Sequence, residues 1–350
     1  MSSRCTRACG VCPRSALGPF WLDGDLEHTL WERLRGDLAL AEHVHLQGWG
    51  EPLLHPDLPG MVAAAKAAGC TVGITTNGDL LSEALTWIAE AQVDLVTVSV
   101  AGRDSTHARL RDGSRLGDIL GAARELVRTR RRRRARVKLS YLLTSQNAAE
   151  LVGVVELAAE HGMDGVVVNH LNTTPTQDLL SLAAFTSSGL AAGVGEALDA
   201  AEAVARERRV RLWLPIRSAQ TMLTCALDPI RMAFVGWDGR VGPCVNLLMP
   251  IKGDIPRQTH EGQLRVRPNC WGSIRDSSLA HILQGEARRE FIAPLEARLE
   301  AERRFLSACA VEPGAEALAR LNEADGKRTD ALLRAPFPGP CSGCHARFGW

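Results

Sequence analysis

Apolar residues recur along the first half of the chain in two alternating rhythms. Residues 25–40 (DLEHTLWERLRGDLAL) carry apolar positions at helical spacing, and HVHLQ at 43–47 reads as a short strand ending in a glycine-rich turn, GWGEPLL. A helix over 58–69 precedes the strand TVGITTNG, and a helix over 80–91 precedes VDLVTVSV. Helix 116–130, strand 136–143, helix 148–162 and strand 164–170 continue the alternation. Strands separated by helices of this length predict right-handed βαβ units and a parallel sheet curled into a full or partial (β/α) barrel. In such barrels chemistry gathers at the C-terminal ends of the strands, where GWGE, TTNG and Ser99 fall.

The rhythm changes after residue 170. Residues 178–208 read as one long Ala- and Glu-rich helix, and 209–215 (RVRLWLP) as a strand. In FVGWDGRVGPC the Asp-Gly pair marks a tight hairpin that ends at Cys244. The charged, helical stretch 296–335 reads as an insertion before a terminal C-x2-C, placed to shape a substrate pocket. The expected division is a barrel with a helical extension over 1–215 and a small cysteine-rich domain over 216–350.

Composition narrows the function classes. The chain has 350 residues, 45% of them hydrophobic, with 41 Lys and Arg against 40 Asp and Glu. A net charge of +1 supplies no global field to draw in nucleic acid or a membrane surface, so neither is expected as a partner. Only four basic residues are lysines, a coding bias that discounts arginine runs. Arg130–Arg134 accordingly reads as a solvated helix end beside the dipole's negative pole, with polyanion binding as the alternative. The N-terminus lacks the apolar core of a secretory signal and no stretch is apolar enough to span a membrane, so a cytoplasmic location is expected. Ten cysteines in a reducing compartment point to metal or redox chemistry rather than disulfides.

Three of them form C-x3-C-x2-C at Cys5, Cys9 and Cys12, a spacing that random placement produces on the order of 0.01 times in such a chain. Three thiolates so close in sequence can hold one face of an iron-sulfur cube and leave the fourth iron open to a substrate. A structural zinc site needs a fourth ligand nearby, and His28 and His43 lie beyond the usual spacing.

CTRACGVC, then LQGWGEPLLHP, then ITTNG resemble the radical S-adenosylmethionine (radical SAM) superfamily in the order and approximate spacing of its motifs, over residues 5–170. The resemblance implies that Cys5, Cys9 and Cys12 hold a [4Fe-4S] cluster whose open iron is chelated by S-adenosyl-L-methionine (SAM). It also implies that Gly48, Gly50 and Glu51 receive the SAM amino group, an assignment that suits glycines allowing close approach and an acidic side chain facing an ammonium. Thr76, Asn77 and Ser99 sit at strand ends where they could hold the ribose or the methionine carboxylate. Two departures stand out: only four residues precede Cys5, too few for the family's first barrel strand, so either the barrel lacks that strand or the true start lies upstream, and Val11 replaces the aromatic that commonly precedes the third cysteine. Trp49 reads as packing under the turn, and His43, His45 and His55 show no metal-ligand spacing with the cysteines.

The segment WGSIRDSSLAHILQGEARREF resembles that following the hairpin in SPASM and twitch domains, the auxiliary-cluster modules of many radical SAM enzymes. Cys225, Cys244, Cys341 and Cys344 then look like a single-cluster twitch arrangement, able to hold a second [4Fe-4S] cluster or structural zinc. Cys70, Cys270 and Cys309 read as buried small hydrophobes, with a ligand role for Cys270 as an alternative.

These features imply reductive cleavage of SAM to a 5'-deoxyadenosyl radical and hydrogen abstraction, with a reducing partner such as flavodoxin or ferredoxin. The expected net reaction is a two-electron oxidation of a small molecule, for example a sugar or aminocyclitol alcohol. A maturase of a ribosomally made peptide, forming a thioether or carbon-carbon crosslink, is the alternative, and a non-catalytic zinc-binding or scaffold protein the alternative of another class.

Overall fold

The protein is described by a computed structural model covering residues 1–130, 135–220, 222–309 and 315–350. Six parallel strands form one sheet in sequential order: β1 (His43–Leu46), β2 (Thr71–Thr76), β3 (Leu95–Val100), β4 (Arg136–Leu143), β5 (Gly165–His170) and β6 (Leu212–Trp213). Helices α1 (Pro13–Leu17) and α2 (His28–Arg35) precede β1, and α3 (Leu58–Ala67) and α4 (Leu81–Glu90) follow β1 and β2. After β3 come α5 (Asp104–Leu110) and α6 (Leu116–Thr129); after β4 comes α7 (Leu151–Glu160), and after β5 come α8 (Gln177–Ser181) and α9 (Val194–Arg208). Every sheet connection is a βαβ crossover, so the architecture is a partial (β/α)6 barrel.

Side-chain alternation divides the sheet into two unlike faces. Val72, Ile74, Val96, Val98, Val137, Leu139, Val166 and Val168 belong to the buried core packed by the helices. On the opposite face stand His45, Thr75, Thr97, Ser99, Lys138, Ser140 and Asn169, most of them half-buried or exposed. A closed (β/α)8 barrel fills its interior with branched apolar residues; this inner face is mostly polar, with Leu95, Leu142 and Val167 among the polar groups.

Several expected elements are shorter than the pattern implied. Helix 178–208 is two helices, because TSSGLAAG folds into a turn in which Phe185 pairs with Leu190 and Gly193 takes a left-handed φ of 74° before α9. Strand 209–215 shrinks to β6, since Arg209 caps α9 in the left-handed region. The helix expected over 25–40 ends at Arg35 and a separate 3-10 turn follows at Leu38–Leu40.

The residues before Cys5 lie against the turn after β1. The carbonyl of Ser2 accepts from Gly50 N at 3.0 Å and that of Arg4 from Glu51 N at 2.8 Å, so residues 1–4 run beside the turn that extends β1.

Beyond β6, the Asp-Gly hairpin forms as expected from β7 (Phe234–Val235) and β8 (Arg240–Gly242). A second hairpin, β9 (Ile255–Thr259) with β10 (Gly262–Val266), has no counterpart in the sequence expectations, and β11 (Gly272–Ser273) returns to pair with β8. Then come α10 (Leu279–Gln284), α11 (Glu286–Cys309) and α12 (Ala315–Arg334). The last two are the expected helical insertion, but they do not line the cavity described below. Arg298 of α11 instead donates to the carbonyls of Met222, Leu223 and Ala335, tying the helices to the segment before Cys225. Arg130 pairs with Asp164, while Arg131–Arg134, the rest of the arginine run, lie outside the described residues. Among the described residues no helix is long and apolar enough to cross a membrane.

Candidate functional site

The C-terminal ends of β1–β5 surround a cavity of about 290 Å³. Cys5, Cys9 and Cys12 form one wall; Gln47, Gly48, Trp49, Gly50 and Glu51 form another; Thr75, Thr76, Asn77, Ser99, Leu142 and Asn172 contribute from the other strand ends. All three N-terminal cysteines and all six residues expected to bind SAM therefore meet at one place.

The cysteine loop is held from outside. Arg7 grips Asp79 with two bonds, from Nε at 2.6 Å and Nη2 at 2.8 Å, and also donates to the Asp112 carbonyl. Asp112 accepts from Ala8 N at 2.8 Å. Cys12 caps α1, whose first residue is Pro13. Burial pushes the Cys9 thiol up to about 11 and raises Cys12 as well, with Arg111 pulling both back down. Both are protonated thiols until a metal takes the proton's place.

The turn after β1 explains its glycines differently from the expected ligand approach. A Cβ on Gly48 would stand 2.5 Å from the Ser2 carbonyl oxygen, and one on Gly50 only 2.0 Å from that of Arg4. The glycines admit the N-terminal segment, which carries Cys5 to the cavity.

Glu51 also has a changed role. Its Oε1 accepts from Thr76 Oγ1 at 2.7 Å and Leu53 N at 3.0 Å, and its Oε2 accepts from Asn77 N at 2.7 Å. Burial raises its pKa while these donors lower it. The carboxylate thus staples the turn to the end of β2. The Thr76 hydroxyl is spent on Glu51 and Gly78 N, and the Asn77 amide donates to Thr6 at 2.9 Å and towards Cys5 Sγ at 3.6 Å. Of the strand-end residues expected to touch the cofactor, Ser99 keeps its hydroxyl without a described partner.

Trp49 packs edge-on against Trp21, centroids 5.8 Å apart, and donates to the Val245 carbonyl at 3.1 Å. It thereby joins the turn to the residue after Cys244. Val11 is buried against Cys9, Ala101 and Leu110 beside the cavity. Arg111, unremarked in the sequence, lines the cavity with its Nε buried and unpartnered. It has no carboxylate ion-pair partner among the described residues.

The second thiol set assembles from three separate stretches of chain. Burial raises the pKa of Cys225 and Cys244 and pushes Cys341 up to about 12, and the neighbouring thiols of the set add to each rise. Buried Arg257 of β9 donates to the carbonyls of Pro340 and Ser342, fixing the Cys341–Cys344 knuckle, where Gly343 turns with a φ of 64°. Among the described residues, three side chains stand at single-ion distance in neither set; mutual charge is what shows the grouping. Cys70 is buried as expected, donating to the Leu38 and Ala41 carbonyls. Cys270 and Cys309 are exposed, contrary to the expectation of burial: Cys270 follows the polar stretch RPN into β11, and Cys309 ends a charged helix.

The fold and the cavity define an α/β partial-barrel enzyme whose open thiol triad faces a ligand pocket at the strand ends. A model of the radical SAM superfamily matches residues 1–158 and one of the SPASM iron-sulfur cluster-binding domain matches 225–310; the chain belongs to the radical SAM superfamily and carries a C-terminal SPASM-type domain. Its cofactors are accordingly SAM and [4Fe-4S] clusters, one in the barrel and auxiliary in the C-terminal domain. It is 25% identical over 296 residues to the tungsten-containing aldehyde ferredoxin oxidoreductase cofactor-modifying protein of Pyrococcus furiosus, covering 82% of this chain and 80% of that one. It is 28% identical over 174 residues to the PqqA peptide cyclase of Xanthomonas euvesicatoria pv. vesicatoria, covering 49% of this chain and 45% of the cyclase. Native anSMEcpe with bound AdoMet and Cp18Cys peptide superposes with a TM-score of 0.57 at 15% identity, covering 95% of this chain and 94% of that one.

Proposed function

We propose that the protein is a radical SAM maturase that oxidises a peptide. The carrying observation is the likeness to a peptide cyclase over the barrel, together with a cavity that opens onto a polar sheet face long enough to receive an extended chain. These relatives support a peptide better than the sugar or aminocyclitol alcohol the sequence suggested, for which they offer no support. The expected division near residue 215 into barrel and auxiliary domain is kept as part of this reading.

In this reading Cys5, Cys9 and Cys12 hold the SAM-binding cluster, and Cys225, Cys244, Cys341 and Cys344 the auxiliary one. Three thiols at the rim of a cavity and a second set of four, one buried and three half-buried, are the donor sets such clusters need. When bound, the barrel cluster and SAM supply a 5'-deoxyadenosyl radical that takes a hydrogen atom from the substrate. The protein's part is placement and shelter. The backbone at Gly48 and Gly50 receives the ammonium group, held in shape by Glu51 through Thr76 and Asn77. Arg111 offers the matching cation for the methionine carboxylate, and Ser99 a hydroxyl for the ribose. Buried Val11 and half-buried Leu142 keep water from the reacting carbon. A one-electron donor of the flavodoxin or ferredoxin class supplies the reductant.

The test is iron and sulfide per chain after anaerobic reconstitution, in the wild type and in a variant with Cys225, Cys244, Cys341 and Cys344 changed to Ala. About eight irons falling to about four supports two clusters; about four in both leaves the C-terminal cysteines without a cluster. The substrate class is tested by incubating the reduced holoenzyme and SAM with short peptides encoded beside its gene. Loss of two hydrogens from one of them is the expected product, and 5'-deoxyadenosine formation with a sugar alcohol oxidised instead would overturn the peptide.

A further inference from the structure

The inner face of the sheet carries a group of cations that the chemistry at the strand ends does not use. Arg136 and Lys138 lie on this face of β4, and Arg211 and Trp213 on the same face at β6. The Lys138 Nζ sits 3.7 Å from the centroid of the Trp213 ring, reaching it across β5. That reach needs Gly165: a Cβ there would stand 2.6 Å from the Trp213 ring and 2.4 Å from the Arg211 carbonyl oxygen. The glycine lets the indole lie flat over β5 as a platform.

None of the three cations has an ion-pair partner among the described residues, whereas Arg7, Lys66 and Arg130 are each paired with an aspartate. Burial and then the Arg136 charge pull the Lys138 pKa down, and Arg211 adds to the fall. Asp164 opposes it, but that carboxylate is already engaged by Arg130 and by Val137 N. Like charges gathered beside an aromatic face, with the nearby carboxylate already engaged elsewhere, weaken the fold unless a further anion arrives.

We propose that Arg136, Lys138, Arg211 and Trp213 form a docking surface for an acidic segment of the peptide substrate. The inference rests on the peptide reading above. The patch lies on the inner face of the sheet at the start of β4 and β6, where its cations complement an acidic chain. It also leads to the cavity: Leu142 stands four residues beyond Lys138 on the same face of β4, about 13 Å along the strand. Between them Ser140 accepts from the Asn169 amide at 3.1 Å, so polar groups lie along the track beside Val167. A few extended residues span that distance, which places the reacting residue a short, fixed step from the acidic anchor.

The chain has only four lysines, so acetylation by acetic anhydride gives a clean footprint. Anaerobically reconstituted holoenzyme is labelled with and without an oligoglutamate peptide, a neutral Gly-Ser peptide of equal length, an oligonucleotide of equal charge, or flavodoxin. Oligoglutamate is expected to slow labelling of Lys138 and to leave Lys66, Lys252 and Lys327 unchanged. In a variant carrying Arg136→Gln, Lys138→Gln and Arg211→Gln, oligoglutamate affinity by fluorescence anisotropy is expected to fall about tenfold or more, with the melting temperature retained. Equal protection by the neutral peptide, stronger protection by the oligonucleotide or flavodoxin, or unchanged affinity in the variant overturns the proposal. A precursor peptide modified by the variant with unchanged KM overturns the docking surface and leaves peptide chemistry standing. Oligoglutamate protection of Lys138 with no peptide ever modified upholds an acid-binding surface while the maturase reading fails.

Discussion

Cys5, Cys9 and Cys12 come from one short loop at the rim of a cavity, whereas Cys225, Cys244, Cys341 and Cys344 are gathered from three distant stretches; in each set one thiol is buried and the others are half-buried. The loop is held through its own Arg7 and Ala8 by Asp79 and Asp112 outside it. The second set is closed by a buried arginine, Arg257, bonded to the carbonyls of the terminal knuckle. An open set with three thiols leaves room for a ligand on the metal, and a closed set of four does not. In the proposed reading the difference in thiol number gives substrate chemistry to the first set and electron traffic or support to the second.

The largest expected effects come from removing one thiol at each place. Cys9→Ala is expected to reduce 5'-deoxyadenosine formation to background while about four irons remain per chain. Cys244→Ala is expected to do the reverse, with SAM cleavage persisting, iron falling and peptide oxidation lost. Continued SAM cleavage in the Cys9→Ala variant would erase the division between the sites.

Arg257→Ala sharpens the comparison at the closed site. It strips the donor from two part-buried knuckle carbonyls, a loss of about 1 kcal/mol. Chelators should then remove the auxiliary iron faster and the barrel iron at the wild-type rate. Equal loss from both sites would show that Arg257 supports the whole fold rather than the knuckle.

At the open site the comparable change is Glu51→Gln. The new amide cannot accept from all of Thr76, Leu53 and Asn77, so the turn loosens and SAM affinity should fall about tenfold or more. Iron content should stay at the wild-type level, because Glu51 touches no cysteine. Undiminished SAM affinity in the Glu51→Gln variant would mean that the staple is dispensable.

The barrel, the order of its strands and the open triad were legible in the sequence because each rests on local spacing: the two hydrophobic periods, a glycine turn, three nearby cysteines. Contacts between distant segments were not. Nothing local in GWGE says that Gly50 faces the Arg4 carbonyl, or that Glu51 turns inward to Thr76. The β9–β10 hairpin escaped because IPRQT and GQLRV alternate too weakly to read as strands. Arg111, Arg136 and Arg211 were hidden by composition: in an arginine-rich chain, no single arginine stands out until its lack of a carboxylate partner is seen. Cys270 and Cys309 illustrate the opposite error, since the general habit of free cysteines says nothing about an exposed loop or a helix end.

The smallest effect at neutral pH belongs to His107, buried behind the open site with its Nδ1 accepting from Ala101 N at 3.4 Å. Burial lowers its pKa to about 4, helped by Arg111 and Arg7 and opposed by Asp79. The folded chain thus resists a proton that the unfolded chain accepts near 6.5. Stability is fully present above that value and is lost as pH falls towards about 4, because the unfolded state then binds the extra proton. At pH 5 the expected loss from this group is about 2 kcal/mol. His107→Gln keeps an acceptor for Ala101 N but cannot titrate, so its denaturation midpoint should fall less between pH 7 and pH 5 than that of the wild type. Parallel curves for the two proteins would place the acid sensitivity elsewhere, with His345 beside the closed site, also held down to about 4 by burial, as the next group to replace.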